Sequence, residues 1–109
     1  MSISLTVDII MYSLQTQSVL FIKRKNEPFK DYFALPGGFV DETDKDLKAA
    51  AIRELKEETN IDFNNLKQLY TVGNQERDPR GYTVSVVYYG LIDNILEAEA
   101  GSTFSDLPP

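Results

Sequence analysis

The stretch Asp46–Ile61 reads DLKAAAIRELKEETNI, and its spacing governs the reading of the rest of the chain. Successive residues of a helix advance about 100° around the axis. On that count Glu54, Glu57 and Glu58 share an arc of about 100°, while Ile52 and Leu55 point elsewhere. Like charges three or four residues apart weaken an isolated helix by about 0.2–0.5 kcal/mol a pair. A sequence serving the helix alone would scatter them. One reading is a solvated acidic face with an Arg53–Glu57 surface pair. The other is a site for a hard divalent cation, which takes oxygen ligands and completes its shell with water and substrate phosphates. The helix is expected over Asp46–Thr59, packing through Leu47, Ala51, Ile52 and Leu55. Thr43 or Asp44 can cap its start, and Asn60, which tolerates left-handed backbone, can end it.

Working outward, Leu35-Pro36-Gly37-Gly38-Phe39-Val40 precedes the helix. Pro lacks a donor and Gly permits positive φ, so this segment should interrupt regular structure. A Gly pair also lets backbone approach a phosphate or metal without a Cβ between. Ile3–Leu14 and Ser18–Arg24 read as two strands of a hairpin around Gln15-Thr16-Gln17. Leu69–Gly73 reads as a short strand, and Asn74–Gly81 as a charged turn. Thr83–Ile92 is the strongest strand, rich in β-branched and aromatic residues. Beyond Asp93 the chain turns small and polar. Several strands and one helix predict an α/β fold in which the helix covers one sheet face.

Composition narrows the chemistry. The 109 residues are 42% hydrophobic and 26% charged, with net charge −6 and neither His nor Cys. One domain is the natural count. Zinc and thiolate chemistry lose their usual ligands, and the commonest general base is absent. The acidic balance argues against nucleic acid as a partner, and an anionic substrate would need a mediating cation. No apolar run approaches the length that spans a bilayer, and MSISLTVDII lacks a basic leader, so a cytoplasmic protein with no membrane partner is expected.

Taken together, these residues resemble the Nudix hydrolase family. Its signature is Gly, five residues, Glu, seven residues, then Arg-Glu-hydrophobic-x-Glu-Glu-x-Gly-hydrophobic. Arg53-Glu54-Leu55-Lys56-Glu57-Glu58-Thr59-Asn60-Ile61 matches its second half, with Asn60 in place of Gly. Counted from Gly38 the first acidic position falls on Asp44; counted back from Arg53 it falls on Lys45. Val40–Leu47 is one residue longer than the pattern. Outside the signature, Lys23–Val40 and Arg77–Gly81 look like ADP-ribose pyrophosphatases and like the ADP-ribose-sensing domains of transcriptional regulators.

The resemblance implies an α/β/α sandwich around a mixed sheet, a single domain over 1–109 whose C-terminal helix is missing from the chain. It implies Mg2+, or Mn2+, on Glu54, Glu57 and Glu58 with a backbone carbonyl near Gly37-Gly38, that of Gly38. Glu54 and Glu57 become catalytic, with Arg53 orienting them. Arg24, Glu27, Arg77 and Arg80 become candidates for a nucleotide substrate. Phe29 and Phe33 could stack on a base or simply pack, and at most one of Tyr88 and Tyr89 points toward a cleft. Asp78-Pro79 reads as turn chemistry. The proton of the attacking water would go to a helix Glu or to the loop after the last strand. A homodimer is the implied assembly. Three functions compete: ADP-ribose hydrolysis to AMP and ribose 5-phosphate, cleavage of another nucleotide, and ADP-ribose sensing without turnover.

Overall fold

The computed structural model describes residues 2–27, 29–78, 81–93 and 102–106, with residues 74–78 and 102–106 described by their backbone alone. β1 (Ile3–Ser13) and β2 (Ser18–Lys23) form the expected antiparallel hairpin, with Tyr12 opposite Val19. β3 (Phe33–Ala34) pairs with β2, and β4 (Gly37–Phe39) pairs with β1. After the helix α1 (Leu47–Thr59) come β5 (Lys67–Asp78) and β6 (Gly81–Ile92), antiparallel to each other. β6 runs parallel to β1 from Ile3–Tyr82 to Ser13–Ile92. β7 (Ser102–Asp106) adds antiparallel to β2. The result is a mixed seven-stranded sheet whose central path is β3-β2-β1-β6-β5.

Alternation explains why β1 sits at the centre. Val7, Ile9 and Met11 are fully buried on one face, while Thr6, Asp8, Ile10 and Tyr12 lie between them on the other. α1 covers the first face with Ala50, Ala51, Leu55 and Thr59, a stripe at helical spacing. Val86 and Tyr88 of β6, with Leu20 and Leu66, close the core, and Leu47 and Ile52 pack against its edge. The expected packing face is therefore present, widened by Ala50 and Thr59. Thr59 can be buried because its hydroxyl donates to the Leu55 carbonyl at 2.6 Å and accepts from the Ile61 N–H at 3.2 Å.

Several boundaries differ from the sequence reading. The helix is capped by Asp46, whose carboxylate accepts from the Ala49 N–H at 2.8 Å, and not by Thr43 or Asp44. Asn60 ends it as expected, at φ 63°. β5 extends well past Gly73: Asn74 pairs with Thr83 and Asp78 with Gly81, so most of the charged segment is strand rather than turn. Its polarity suits a strand paired on one side only. Leu35-Pro36 separates two short strands, and the glycine pair lies within the second of them instead of breaking all regular structure. Ser102–Asp106 joins the sheet in place of a loose polar tail. The fold class itself is as expected: among the described residues a mixed sheet carries one helix on one face.

Candidate active site

Arg53 organises the acidic face. Its Nε donates to Asp44 Oδ1 at 2.8 Å and its Nη2 to Asp44 Oδ2 at 2.8 Å, a bidentate pair. Nη1 donates to Glu54 Oε1 at 2.7 Å and to Glu57 Oε2 at 3.2 Å. Nη2 also reaches the Phe39 carbonyl at 3.2 Å. These bonds engage all the N–H groups a guanidinium has. The guanidinium thus ties Asp44, Glu54, Glu57 and the Phe39 carbonyl together. Asp44, not Lys45, takes the first acidic position. The extra residue falls between Asp44 and Arg53, and the turn closed by Asp44 N–H on the Asp41 carbonyl brings the carboxylate back to the guanidinium. The Arg53 hydrogen bonds hold the Asp44 carboxyl down to about 2. Asp44 in turn pushes the Arg53 guanidinium above its ordinary value.

Glu54 and Glu58 face the glycine pair. Glu58 Oε1 accepts from the Gly37 N–H at 2.6 Å. A Cβ on Gly38 would overlap Glu54 Oε2, so only glycine leaves room for that carboxylate. Burial pushes the Glu54 carboxyl up to about 7, the neighbouring Glu57 adds to this, and Arg53 opposes it. Burial raises Glu58 as well, against the Gly37 N–H and Arg24. Glu57 points outward, its side chain 56% exposed. Among the described residues no three acidic side chains converge into a ready-made cation cage. Glu54 and Glu57 turn onto Arg53 and Glu58 onto Gly37. The donor set is nonetheless all oxygen, lies at a glycine-lined opening, and carries a carboxylate that burial makes ready to titrate near neutral pH. Those features fit a hard divalent cation.

A cleft of about 480 Å³ opens beside this face, with Arg24, Glu58, Gly37 and Gly38 in its wall. Arg24 is fixed by its backbone, which donates to the Tyr32 carbonyl at 2.9 Å and accepts from the Asp31 N–H at 2.9 Å. Phe29, Tyr32, Phe33 and Phe39 line the mouth, and each is about half exposed or more. Phe29 stands at φ 62° and Asp31 at φ 72°, in the left-handed region that a bulky side chain seldom occupies. The Phe29 and Tyr32 rings lie 6.1 Å apart.

The other expected residues divide. Glu27 is not in the cleft wall; its Oε1 accepts from the Lys30 N–H at 3.0 Å and fastens the loop turn instead. Neither Tyr88 nor Tyr89 lines the cleft, and Tyr88 is a core residue. Arg77 lies on β5 by its backbone, and its side chain, like the whole of Arg80 and Pro79, lies outside the described residues. So does most of the segment after β6 that could supply a base. Sequence reasoning missed Tyr32, Phe39 and Asp8 in the cleft wall. For Asp8 the signal was present: one charge inside the otherwise apolar run Val7–Met11.

The fold and the Arg-ordered carboxylates define a NUDIX domain, and a family model of that description matches residues 3–107. The chain belongs to this family. It is 48% identical over 92 residues to the ADPR responsive transcriptional repressor NtrR of Acinetobacter baylyi, a match covering 82% of this chain and 37% of that protein. It is 49% identical over 71 residues to an ADP-ribose pyrophosphatase of Methanocaldococcus jannaschii, covering 64% and 41% respectively. The chain thus spans less than half the length of either relative. Among solved structures, the NUDIX domain of Shewanella oneidensis NrtR complexed with ADP ribose superposes with TM-score 0.85 at 34% identity, over 95% of this chain and 73% of that one. A bifunctional NMN adenylyltransferase/ADP ribose pyrophosphatase of Francisella tularensis, complexed with AMP and Mn ion, gives TM-score 0.82 at 30% identity, over 98% and 35%. Shewanella NrtR has also been solved with a 27mer DNA, at TM-score 0.75 and 33% identity over 92% and 49%. The expectation of no nucleic-acid partner, drawn from charge alone, is therefore not supported. No helix among the described residues is long and apolar enough to cross a membrane.

Proposed function

We propose that this domain hydrolyses the diphosphate bond of ADP-ribose, or of a close nucleoside diphosphate relative, to AMP and a sugar phosphate. The observation that carries the reading is the carboxylate set ordered by Arg53 against a glycine pair, at the wall of a cleft rimmed by exposed aromatic rings. Glu54, Glu57 and Glu58, with the carbonyl of Gly38, would hold Mg2+ or Mn2+. Such a cation would neutralise the diphosphate and polarise a phosphoryl oxygen. Arg53 keeps the carboxylates in register. Arg24 meets the phosphate or ribose, and Phe29, Tyr32 and Phe33 offer flat faces to a base. Arg77 and Arg80 are further candidates for phosphate contact. The family resemblance supports a homodimer of single domains, which equilibrium sedimentation checks.

A second reading has its own support: the chain is as similar to a repressor as to a pyrophosphatase. In that reading the domain binds ADP-ribose and passes the signal to a DNA-binding partner region. One experiment separates them. Purified protein is given ADP-ribose, NADH, a sugar nucleotide and a nucleoside triphosphate with Mg2+, and AMP release and binding are followed together. Turnover of ADP-ribose in preference to the others is the expected result. Micromolar binding without AMP release would replace the enzyme by the sensor.

A further inference from the structure

The loop between β2 and β3 carries two non-glycine residues in left-handed backbone, Phe29 at φ 62° and Asp31 at φ 72°. Aspartate tolerates that region because its short polar side chain can bond locally, whereas phenylalanine has no such compensation. A bulky residue keeps this conformation only where its surroundings over-determine it. Hydrogen bonds supply that here. The Arg24 N–H donates to the Tyr32 carbonyl at 2.9 Å, and the Asp31 N–H donates to the Arg24 carbonyl at 2.9 Å, which closes the neck of the loop. Within it, the Tyr32 N–H donates to the Phe29 carbonyl at 3.1 Å. One further bond comes from a side chain: Glu27 Oε1 accepts from the Lys30 N–H at 3.0 Å, tying together residues on either side of Phe29. Core packing does not explain the arrangement, since Phe29 is 53% and Tyr32 68% exposed. A glycine would meet φ 62° without steric cost, but it would carry no ring. What the loop achieves is placement. Both rings line the cleft, with centroids 6.1 Å apart and planes tilted by 48°, in the range where aromatic pairs attract.

We propose that Glu27 is a positioning residue: its bond to the Lys30 N–H holds Phe29 in left-handed backbone and so presents the Phe29–Tyr32 ring pair as a preformed platform for a flat aromatic group of the ligand. The proposal rests on the reading of this cleft as the nucleotide site, and it applies equally to an enzyme and a sensor. A platform ordered beforehand spares the ligand the entropic cost of ordering two side chains and the turn that bears them. Glu27 touches no ligand atom in this scheme. Its loss is therefore felt only by ligands that carry a base.

The test is calorimetry with AMP, which carries a base, and with ribose 5-phosphate, which carries none. Glu27→Ala removes the acceptor. It is expected to raise Kd for AMP about tenfold, the order of the cost of ordering side chains on binding, and to leave Kd for ribose 5-phosphate unchanged. Glu27→Gln keeps an acceptor oxygen at the same reach and should bind AMP as wild type does. An unchanged Kd for AMP in Glu27→Ala, equal losses for both compounds, or a Glu27→Gln protein as weak as Glu27→Ala would overturn the proposal. In a Phe29→Ala background the Glu27→Ala change should cost less than it does in wild type, because the platform is already broken; full additivity would be equally fatal. A ligand-free readout keeps the two readings apart. Nuclear Overhauser cross-peaks between the Phe29 and Tyr32 ring protons should be present in wild type and Glu27→Gln and fade in Glu27→Ala. If wild type binds neither compound, the functional reading fails, while these cross-peaks still decide whether Glu27 holds the rings together. Cross-peaks of equal strength in all three proteins would show that it does not.

Discussion

Arg53 bonds to Asp44, Glu54, Glu57 and the Phe39 carbonyl. A lysine would keep the charge but present a single ammonium that cannot span these partners. Arg53→Lys is expected to lower the rate of AMP release by about 10–100-fold, the usual effect of losing a residue that orients metal ligands. Wild-type rates would remove Arg53 from that role. Glu54 makes a second prediction, for the metal-free protein. Burial raises its carboxyl to about 7 in the folded state, above its unfolded value. A raised carboxyl binds its proton more tightly when folded, so protonation stabilises the fold. That contribution is complete below the unfolded value and is lost as pH rises through about 7. Melting temperature in a chelator should therefore fall between about pH 4.5 and pH 7, the window these two values bound, and Glu54→Gln should flatten that slope. A slope identical in both proteins would mean that Glu54 titrates normally. Asp44 works the other way: Arg53 holds it at about 2, so its stabilisation is present near neutrality and is lost only in strong acid.

The helix is the most legible element. Its apolar stripe, its acidic arc and its end at Asn60 all follow from periodicity and from which residues tolerate left-handed backbone. Its cap is not legible, because Thr43, Asp44 and Asp46 are all good cap residues and only the fold shows that Arg53 claims Asp44. Asp46→Ala should lower stability by about 1 kcal/mol in a denaturant melt, whereas Thr43→Ala should cost the helix nothing. Asn60→Gly is expected to raise stability by about 0.5 kcal/mol, since glycine meets φ 63° without steric cost but gives up chain entropy. A loss would mean that the Asn60 side chain does something beyond the turn. The strands show where local reading stops. The outer half of β5 is polar and so does not read as strand, and the parallel pairing of β1 with β6 joins segments almost eighty residues apart. Long-range pairings leave no mark in a local window. Asp8 shows the same limit, since its partners Ser85 and Gly37 come from two other strands.

Taken whole, the molecule sets an acidic chain around a cleft that the proposed function gives to an anion. Its formal charge is −6, and the described cleft wall holds Asp8 and Glu58 against Arg24 alone. Glu54, largely buried and titrating near neutral pH, faces the adjoining glycine pair. An anionic diphosphate entering that field needs a cation as intermediary, and this requirement connects the helix face to the proposed chemistry. The relation between Glu57 and Mg2+ therefore tests the account at its centre. Thermal melts of wild type and Glu57→Gln are recorded with and without Mg2+. Without metal, the variant should be as stable as wild type or slightly more, because one repulsive charge is gone. With Mg2+, the melting temperature of wild type should rise and that of Glu57→Gln should rise much less, since a ligand stabilises in proportion to its binding. Equal rises in the two proteins, or none in either, would contradict the account and leave the three carboxylates a solvated face.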